Sequence, residues 1–304
     1  MEKRVAIILL NWNSYEHTAN CIASLQKVTP ANFDVIVVDN GSKDGSGLAL
    51  QQKFTHIKYI QSPTNLGFAG GNNKGFEYAT AHGYQYAFML NNDTFVEPDF
   101  LALLVSYLDS HPAVGAIQPK IFFNNNRQKI WNGGSYFLSW LGWTYSKNYM
   151  RSAGPAQNKF AEVDWITGCA LLVRTSIVQK IGALNDNFFI YYEDVDFSFR
   201  IRQAGYKLMF HPQSVIYHIA GMANKAKVKG KEGYANPYVH YLNFRNHIWV
   251  LKTYTKWYQW PTTLLTLFAF SLAIMLYFVL RWRITKLAMM LKGIYHGFTK
   301  QSIV

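Results

Sequence analysis

A rhythm in the first 120 residues constrains this chain most: short apolar runs, each closing on a cluster of Asn, Asp and Gly. Residues 5–10 end in Asn11-Trp12-Asn13, and the β-branched residues 35–38 end in Asp39-Asn40-Gly41-Ser42. Residues 57–60 lead into Asn65-Leu66-Gly67-Phe68-Ala69-Gly70-Gly71-Asn72-Asn73, and residues 86–90 end in Asn91-Asn92-Asp93-Thr94. Runs this short, bounded by turn residues, read as strands. Between and after them residues 15–28, 69–81 and 98–108 read as helices, with Pro98 suited to a first turn. Residues 114–118 fit a fifth strand. Alternation over short connections predicts an α/β fold, a mostly parallel central sheet with helices on both faces.

Ligands of such sheets bind outside the carboxyl ends of the strands. Gly and Asn permit tight turns there, and backbone N–H groups and helix N-termini face anions. Each cluster alone is ordinary turn and cap chemistry. Four at one sheet edge point to a nucleotide-like ligand. A Gly-x-Gly-x-x-Gly turn is missing after the first strand and no P-loop is present, which argues against a dinucleotide enzyme and an ATPase. Asp93 at a strand end suits Mg2+ or Mn2+, with phosphate oxygens and water completing the shell; the plainer reading is a cap for the helix near Pro98. Asp194 follows an aromatic wall at residues 188–192, and such a partly dry surround suits a general base. Asp196, four residues before Arg200, reads as its ion-pair partner. His218, after the β-like run 214–217, reads as structural when taken alone.

Half of the 304 residues are hydrophobic and 15% are charged, which excludes disorder as the main state. The formal charge of +13 is concentrated at one end: residues 1–220 carry 18 basic and 16 acidic side chains, whereas residues 221–304 carry 12 basic and one acidic, Glu232. The near-neutral body argues against a nucleic-acid binder, and the basic, aromatic tail suits an anionic membrane surface. Cys21 and Cys169 offer neither a disulfide framework nor metal-ligand spacing. The apolar stretch at residues 5–10 is too short for a signal peptide, so the body is expected in the cytosol.

Residues 121–162 show little periodicity and predict a long active-site loop or small hairpin; residues 225–231 predict a mobile loop. Order resumes at residues 165–174, with helices near 176–181 and from Glu193. Residues 236–254 read as an aromatic-rich helix, and residues 261–280 are twenty residues without a charge. As a helix that stretch rises about 30 Å, one hydrocarbon thickness. Trp257, Tyr258, Trp260 and Trp282 flank it as interfacial anchors would. A simple span would export Arg281, Arg283, Lys286, Lys292 and Lys300, against the positive-inside tendency. Ile284, Leu287, Ala288, Leu291, Ile294, Tyr295 and Phe298 share one helical face opposite Lys286 and Gly293, the pattern of an interfacial helix. The prediction is a re-entrant or shallow segment with the basic tail on the cytoplasmic side; a true span is the alternative.

The ordered set of motifs resembles family 2 glycosyltransferases of the GT-A fold, in particular a bacterial rhamnosyltransferase-like branch. It comprises residues 8–13, 37–46 with Asp44-Gly45-Ser46, 65–72, 90–94, the Thr167-Gly168-Cys169-Ala170 run through Arg174, Tyr192-Glu193-Asp194-Val195-Asp196 and Tyr217-His218. The resemblance implies a nucleotide-diphospho-sugar transferase fold over residues 1–235, followed by a helical, membrane-associating region over 236–304. It implies inverting transfer of a sugar from a nucleoside diphosphate sugar to a hydroxyl of a lipid-linked saccharide in bacterial surface polysaccharide synthesis, such as O-antigen. Rhamnose is the sugar the branch suggests; galactose, fucose and N-acetylhexosamine stay open. Asp39 would contact the base or ribose, and Asn11, Asn13, Gly67, Gly70, Asn72 and Asn92 would line the donor pocket. Asp93 would ligate Mg2+ or Mn2+, with His218 as a further ligand, and Asp194 would be the catalytic base. Asn91 stands where the family's Asp-x-Asp motif has its first acid, so fewer charges face the metal. The place of action would be the cytoplasmic face of the bacterial inner membrane. A non-catalytic nucleotide- or glycan-binding protein of the same fold is the alternative.

Overall fold

The structure, a computed structural model, describes residues 4–30, 32–154, 157–220, 225–230 and 232–300. The chain forms two compact units: residues 1–136, 146–189 and 193–220 make the first, and residues 137–145, 190–192 and 221–304 the second.

In the first unit the expected rhythm is realised as β1 (Val5–Asn11), α1 (Tyr15–Leu25), β2 (Phe33–Asn40), α2 (Ser46–Lys53), β3 (Lys58–Ser62), α3 (Gly67–Ala81), β4 (Tyr86–Leu90), β5 (Thr94–Val96) and α4 (Phe100–Ser110). The chain continues through β6 (Val114–Phe123), β7 (Asn126–Asn132), β8 (Ser135–Leu138), β9 (Trp143–Ser146), β10 (Ala161–Glu162), β11 (Ala170–Arg174), α5 (Thr175–Ile181), α6 (Glu193–Gln203) and β12 (Lys207–His218). The sheet order is β10-β12-β6-β11-β4-β1-β2-β3, with β5 added beside β12 and β7 beside β6. The half built from the βαβ rhythm, β4-β1-β2-β3, is parallel. Beyond β4 the sheet is mixed, because β11 runs antiparallel to both β4 and β6.

Alternation along the strands puts one core on each face. Val5, Ile7, Leu9, Val35 and Val37 pack with α1 and α4 through Ile22, Leu25, Phe100 and Leu104. Ala6, Ile8, Ile36 and Val38 pack with α3, α5 and α6 through Ala69, Phe76, Ile177 and Phe197. A strand buried on both faces reads as a continuous apolar run, which is what β1 and β2 show.

Two expectations are refined and one element was unforeseen. Residues 121–162 take the hairpin form rather than that of a long loop: they hold the end of β6 and strands β7 to β10, with β7 antiparallel to β6 and β8 paired with β9. Their Asn- and Trp-rich composition hides the strands because β7 and β9 bury few residues. Helix α2 was not legible, since only Ser46, Gly47 and Leu50 of it are buried. In the second unit residues 225–230 are strand β13 (Lys225–Gly230), paired antiparallel with β14 (Gly233–Ala235), rather than a mobile loop. The alternation of Lys with small residues is itself a period of two, and a partner strand converts it to sheet. Lys231 lies outside the described residues.

The second unit continues with α7 (Pro237–Tyr254), α8 (Trp260–Leu280) and α9 (Ile284–Thr299). Asn236 caps α7 by accepting from Tyr238 N at 2.9 Å, with Pro237 in the first turn. Helix α8 buries a single stripe, Thr263, Leu267, Ser271 and Phe278, while Leu264, Leu265, Phe268, Leu272, Leu276 and Leu280 are exposed. Phe278 shares a cluster with Phe244 of α7 and Met290 of α9, and Leu267 packs with Ile248 and Leu251. Helix α9 buries Lys286, Met290, Gly293 and Gly297, leaving Ile284, Leu291, Tyr295 and Phe298 outward. A Cβ on Gly293 would stand 2.5 Å from the Tyr241 carbonyl oxygen, so only glycine allows α9 this close to α7. Glu232 closes the N-terminus of α9, accepting from Thr285 N at 2.8 Å and Lys286 N at 3.0 Å.

Candidate active site

Register brings the end of β1 beside the end of β2, with Asn11 opposite Asp39. Asn11 is fully buried, and its Nδ2 reaches Asp39 Oδ1 at 3.0 Å, Ser46 Oγ at 2.9 Å and Ser42 Oγ at 3.2 Å. Its Oδ1 accepts from Thr18 Oγ1 at 2.8 Å, and Thr18 Oγ1 in turn accepts from Asn92 Nδ2 at 2.8 Å. Asn11 is therefore engaged in orienting Asp39, and Asn92 braces the far end of the same chain. Ser42 Oγ also donates to Asp39 Oδ1 and accepts from Asn13 N, while Asn13 Oδ1 accepts from Lys43 N at 2.9 Å. Asn13 thus laces the loop after β1 to the loop after β2. Tyr59 sits beside Asp39, and burial together with that carboxylate pushes its phenol up to about 12.

The loop before α3 is held by Asn40. Its Nδ2 donates to Gly67 O at 2.9 Å and Asn65 Oδ1 at 3.1 Å, and its Oδ1 accepts from Leu66 N at 3.0 Å. Gly67 has φ 75°, and a Cβ there would stand 2.5 Å from the Phe189 ring, so turn and close approach both require glycine. Gly70 packs over Leu66. Asn72 is buried and donates to Phe68 O in its own helix at 2.8 Å, away from the Asp39 network.

The second group assembles where β4, β5, β11 and β12 meet. Asn91 N donates to Cys169 O at 2.8 Å, and pairing of β5 with β12 sets Thr94 opposite His218. Asp93 and His218 are both buried, with Asp93 Oδ1 3.1 Å from His218 Nε2. Asn91 Oδ1 and His218 Nδ1 are buried without a hydrogen-bond partner among the described residues, and Asp93 Oδ1 faces His218 Nε2 without hydrogen-bond geometry. Orphaned polar atoms in a native interior call for an occupant. Among the described residues no group of three or more His, Cys, Asp or Glu surrounds a metal position. The set fits a cation that takes one carboxylate and one imidazole from the protein and its remaining ligands from phosphate and water. Asp93 is not a cap for α4, whose N-cap position is Asp99. Burial opposes a charge on His218 while the Cys169 sulfur and the Asp93 carboxylate favour one, so without a cation the imidazole is pushed up to about 10; ligation of a cation requires that proton to leave.

Asp194 lies in the first turn of α6, and its Oδ2 accepts from Gly168 N at 2.8 Å. Gly168-Cys169 therefore links the base candidate to the Asp93–His218 group through adjacent residues. Burial lifts the Asp194 carboxyl to about 6, against the pull of the Gly168 and Val195 N–H groups. Glu193 is more deeply buried, and burial with the neighbouring Asp194 holds its carboxyl well above the usual range. Asp196 pairs with Arg200 at 2.9 Å, as its spacing implies, and Arg200 also donates to Ile181 O and Ala183 O, a structural role. The entry to α6 is irregular: Phe189, Tyr191 and Tyr192 have φ of 66°, 73° and 70°. Left-handed backbone in such bulky residues costs roughly 1–2 kcal/mol each and needs outside support.

Thr18, Asn40, Ser42, Ser46 and the Gly168 N–H escaped assignment from the sequence. For Asn40, Ser42 and Ser46 the signal is positional, polar residues at or just after the end of β2; Thr18 inside α1 and Gly168 ahead of β11 carry no such signal.

A mixed sheet with helices on both faces, a buried acid at the end of its second strand and an acid–imidazole pair at a later strand end is the arrangement of a GT-A glycosyltransferase. The glycosyl transferase family 2 profile matches residues 6–182, and the chain belongs to that family. A curated relative, the N-acetylglucosaminyl-diphospho-decaprenol L-rhamnosyltransferase of Mycobacterium tuberculosis, is 24% identical over 274 residues, covering 84% of this chain and 86% of its own. The rhamnosyltransferase WbbL of Escherichia coli is 23% identical over 232 residues, covering 73% of this chain and 86% of its own. Among solved structures, the mannosyltransferase PcManGT from Pyrobaculum calidifontis, in complex with GDP-Man and Mn2+, shares the fold with a TM-score of 0.58 at 16% identity, covering 98% of this chain and 88% of that one.

Proposed function

We propose that the enzyme transfers a sugar, with rhamnose the leading candidate, from a nucleoside diphosphate donor to a hydroxyl of a lipid-linked saccharide, with inversion at the anomeric carbon. The observation that carries this reading is Asp194: a carboxylate held by Gly168 N, with a pKa raised by burial, tied through Gly168-Cys169 to the Asp93–His218 pair. Asp39, fixed by Asn11 and Ser42, accepts hydrogen bonds from the base or ribose of the donor. Asp194 takes the proton of the acceptor hydroxyl as its oxygen bonds to the anomeric carbon and the bond from that carbon to the diphosphate oxygen breaks. A single displacement inverts the centre and requires no enzyme nucleophile. Asp93 and His218 would hold a divalent cation, Mg2+ or Mn2+, which when bound would supply Lewis-acid stabilisation of the departing diphosphate. The names of the rhamnosyltransferase relatives support the donor and acceptor classes.

The same reading places the enzyme on the cytoplasmic face of a bacterial inner membrane. Within Trp257–Leu280 an 18-residue window has a mean hydropathy of 2.3, and only 17% of that window is buried. Trp257 and Trp282 at its ends are 84% and 83% exposed. Because α7 and α9 cover one stripe of α8, we favour α8 lying in one leaflet with its outward face in lipid. The test is a donor screen by released nucleoside diphosphate, with and without Mg2+ or Mn2+, followed by the anomeric configuration of the product. Retention of configuration, or no release from any donor with a polyprenyl-diphosphate saccharide present, overturns the proposal.

A further inference from the structure

The middle of α7 carries three consecutive polar residues, Arg245, Asn246 and His247, all buried. Burying an amide is costly unless its groups are bonded, and the Asn246 amide is bonded at both its nitrogen and its oxygen. Its Nδ2 donates to Ile190 O at 2.9 Å and to Tyr191 O at 2.8 Å. Its Oδ1 accepts from Arg245 Nε at 2.8 Å, and the Arg245 guanidinium lies 4.2 Å from the centre of the Trp249 ring, which fixes the amide's orientation. The next residue holds the same segment by its ring: His247 stacks on Tyr192 with centroids 5.3 Å apart and planes 12° apart. His247 Nε2 is 2.7 Å from Gly142 O, and since a carbonyl only accepts, that nitrogen carries the proton. Residues 190–192 are thus gripped at two carbonyls and one ring from a single helix. Two of them, Tyr191 and Tyr192, have left-handed backbone that local propensity does not maintain, and the segment runs directly into Glu193 and Asp194.

We infer that Asn246, oriented by Arg245 and assisted by His247, is a positioning residue for Asp194: it holds the strained 190–192 segment and so sets where α6 begins. This rests on the reading of Asp194 as the base. The clamp supplies two N–H groups to two carbonyls, so a carboxylate of the same shape would oppose both and alanine would supply neither. A base displaced by about 1 Å loses on the order of 100-fold in rate without touching the donor.

The experiment compares full-length parent, Asn246→Asp, Asn246→Ala and Asp194→Asn in detergent or vesicles. It measures kcat and KM with the donor that supports turnover, binding of UDP, GDP and dTDP with Mg2+ by calorimetry, and thermal unfolding. The expected result is a fall in kcat of about 10- to 100-fold in both Asn246 variants, with donor KM and diphosphate binding within about twofold of the parent. Parent-like kcat in both, beside an inert Asp194→Asn, overturns the clamp and leaves the base standing. Parallel loss of kcat and nucleotide binding, with lowered unfolding temperature in both variants, also overturns it by reducing Asn246 to general stability. Turnover by Asp194→Asn overturns both readings.

Discussion

Replacing Asp194 by Asn keeps its outline and removes its ability to take a proton. Loss of a general base costs about 10²–10⁴ in rate, so transfer is expected to fall by that factor while nucleoside diphosphate binding, measured by calorimetry, is retained. The parent's rate is expected to rise through an acidic limb near pH 6, where Asp194 ionises. Stability runs the other way. Burial raises this carboxyl above its ordinary value of 3.8, so between about 4 and 6 the folded state holds more protons than the unfolded one and loses stability as pH rises. The Asn variant is therefore expected to melt higher than the parent at neutral pH. Asp93→Ala separates a different quantity: diphosphate affinity in the presence of Mg2+ or Mn2+ is expected to drop to its metal-free level. Unchanged binding, or indifference of the parent to chelators, removes the cation from Asp93. At this scale the sequence singled out Asp39, Asp93 and Asp194, because acids at strand and helix ends are visible, whereas His218 was marked only by the family resemblance. The sequence did not expose Asn246 or Asn40, whose importance lies in carbonyls that only the folded chain brings to them.

The elements that were legible are those whose burial follows one period. Strands β1, β2 and β4 are buried along nearly their whole length and read as unbroken apolar runs. Strands β7 and β9 bury little and carry polar residues on both sides, so periodicity had nothing to register. The antiparallel entry of β11 between β4 and β6 was invisible for another reason: direction is set by pairing across the sheet, not by composition. Helix α9 was read as amphipathic, and its exposed face is the apolar one, Ile284, Leu291, Tyr295 and Phe298, with Lys286 and Gly293 turned inward. A soluble packing argument alone would have assigned these faces in reverse. Gly293→Leu tests the inward face: a side chain where a Cβ already stands 2.5 Å from the Tyr241 carbonyl must push α9 from α7. Overpacking of this kind costs about 1–3 kcal/mol, read as a lower unfolding temperature.

Across the whole molecule charge and apolar exposure coincide: the last 84 residues carry the basic excess and α8 and α9 carry the outward apolar faces. Truncation after residue 255 is expected to move the protein to the soluble fraction and abolish flotation with phosphatidylglycerol vesicles, while nucleoside diphosphate binding persists. Full-length protein that stays soluble without detergent and ignores such vesicles contradicts the membrane reading.

On the proposed membrane reading, the outward face of α8 also changes what concentration means for this enzyme. A catalyst lying in one leaflet meets a polyprenyl-linked acceptor by lateral diffusion, so the relevant variable is acceptor per lipid, not acceptor per volume. Diluting a fixed amount of acceptor into more inert vesicle lipid is expected to slow transfer although its bulk concentration is unchanged. A water-soluble acceptor analogue is expected to show no such dependence. Rates that follow bulk concentration for both would mean that the enzyme finds its acceptor from solution.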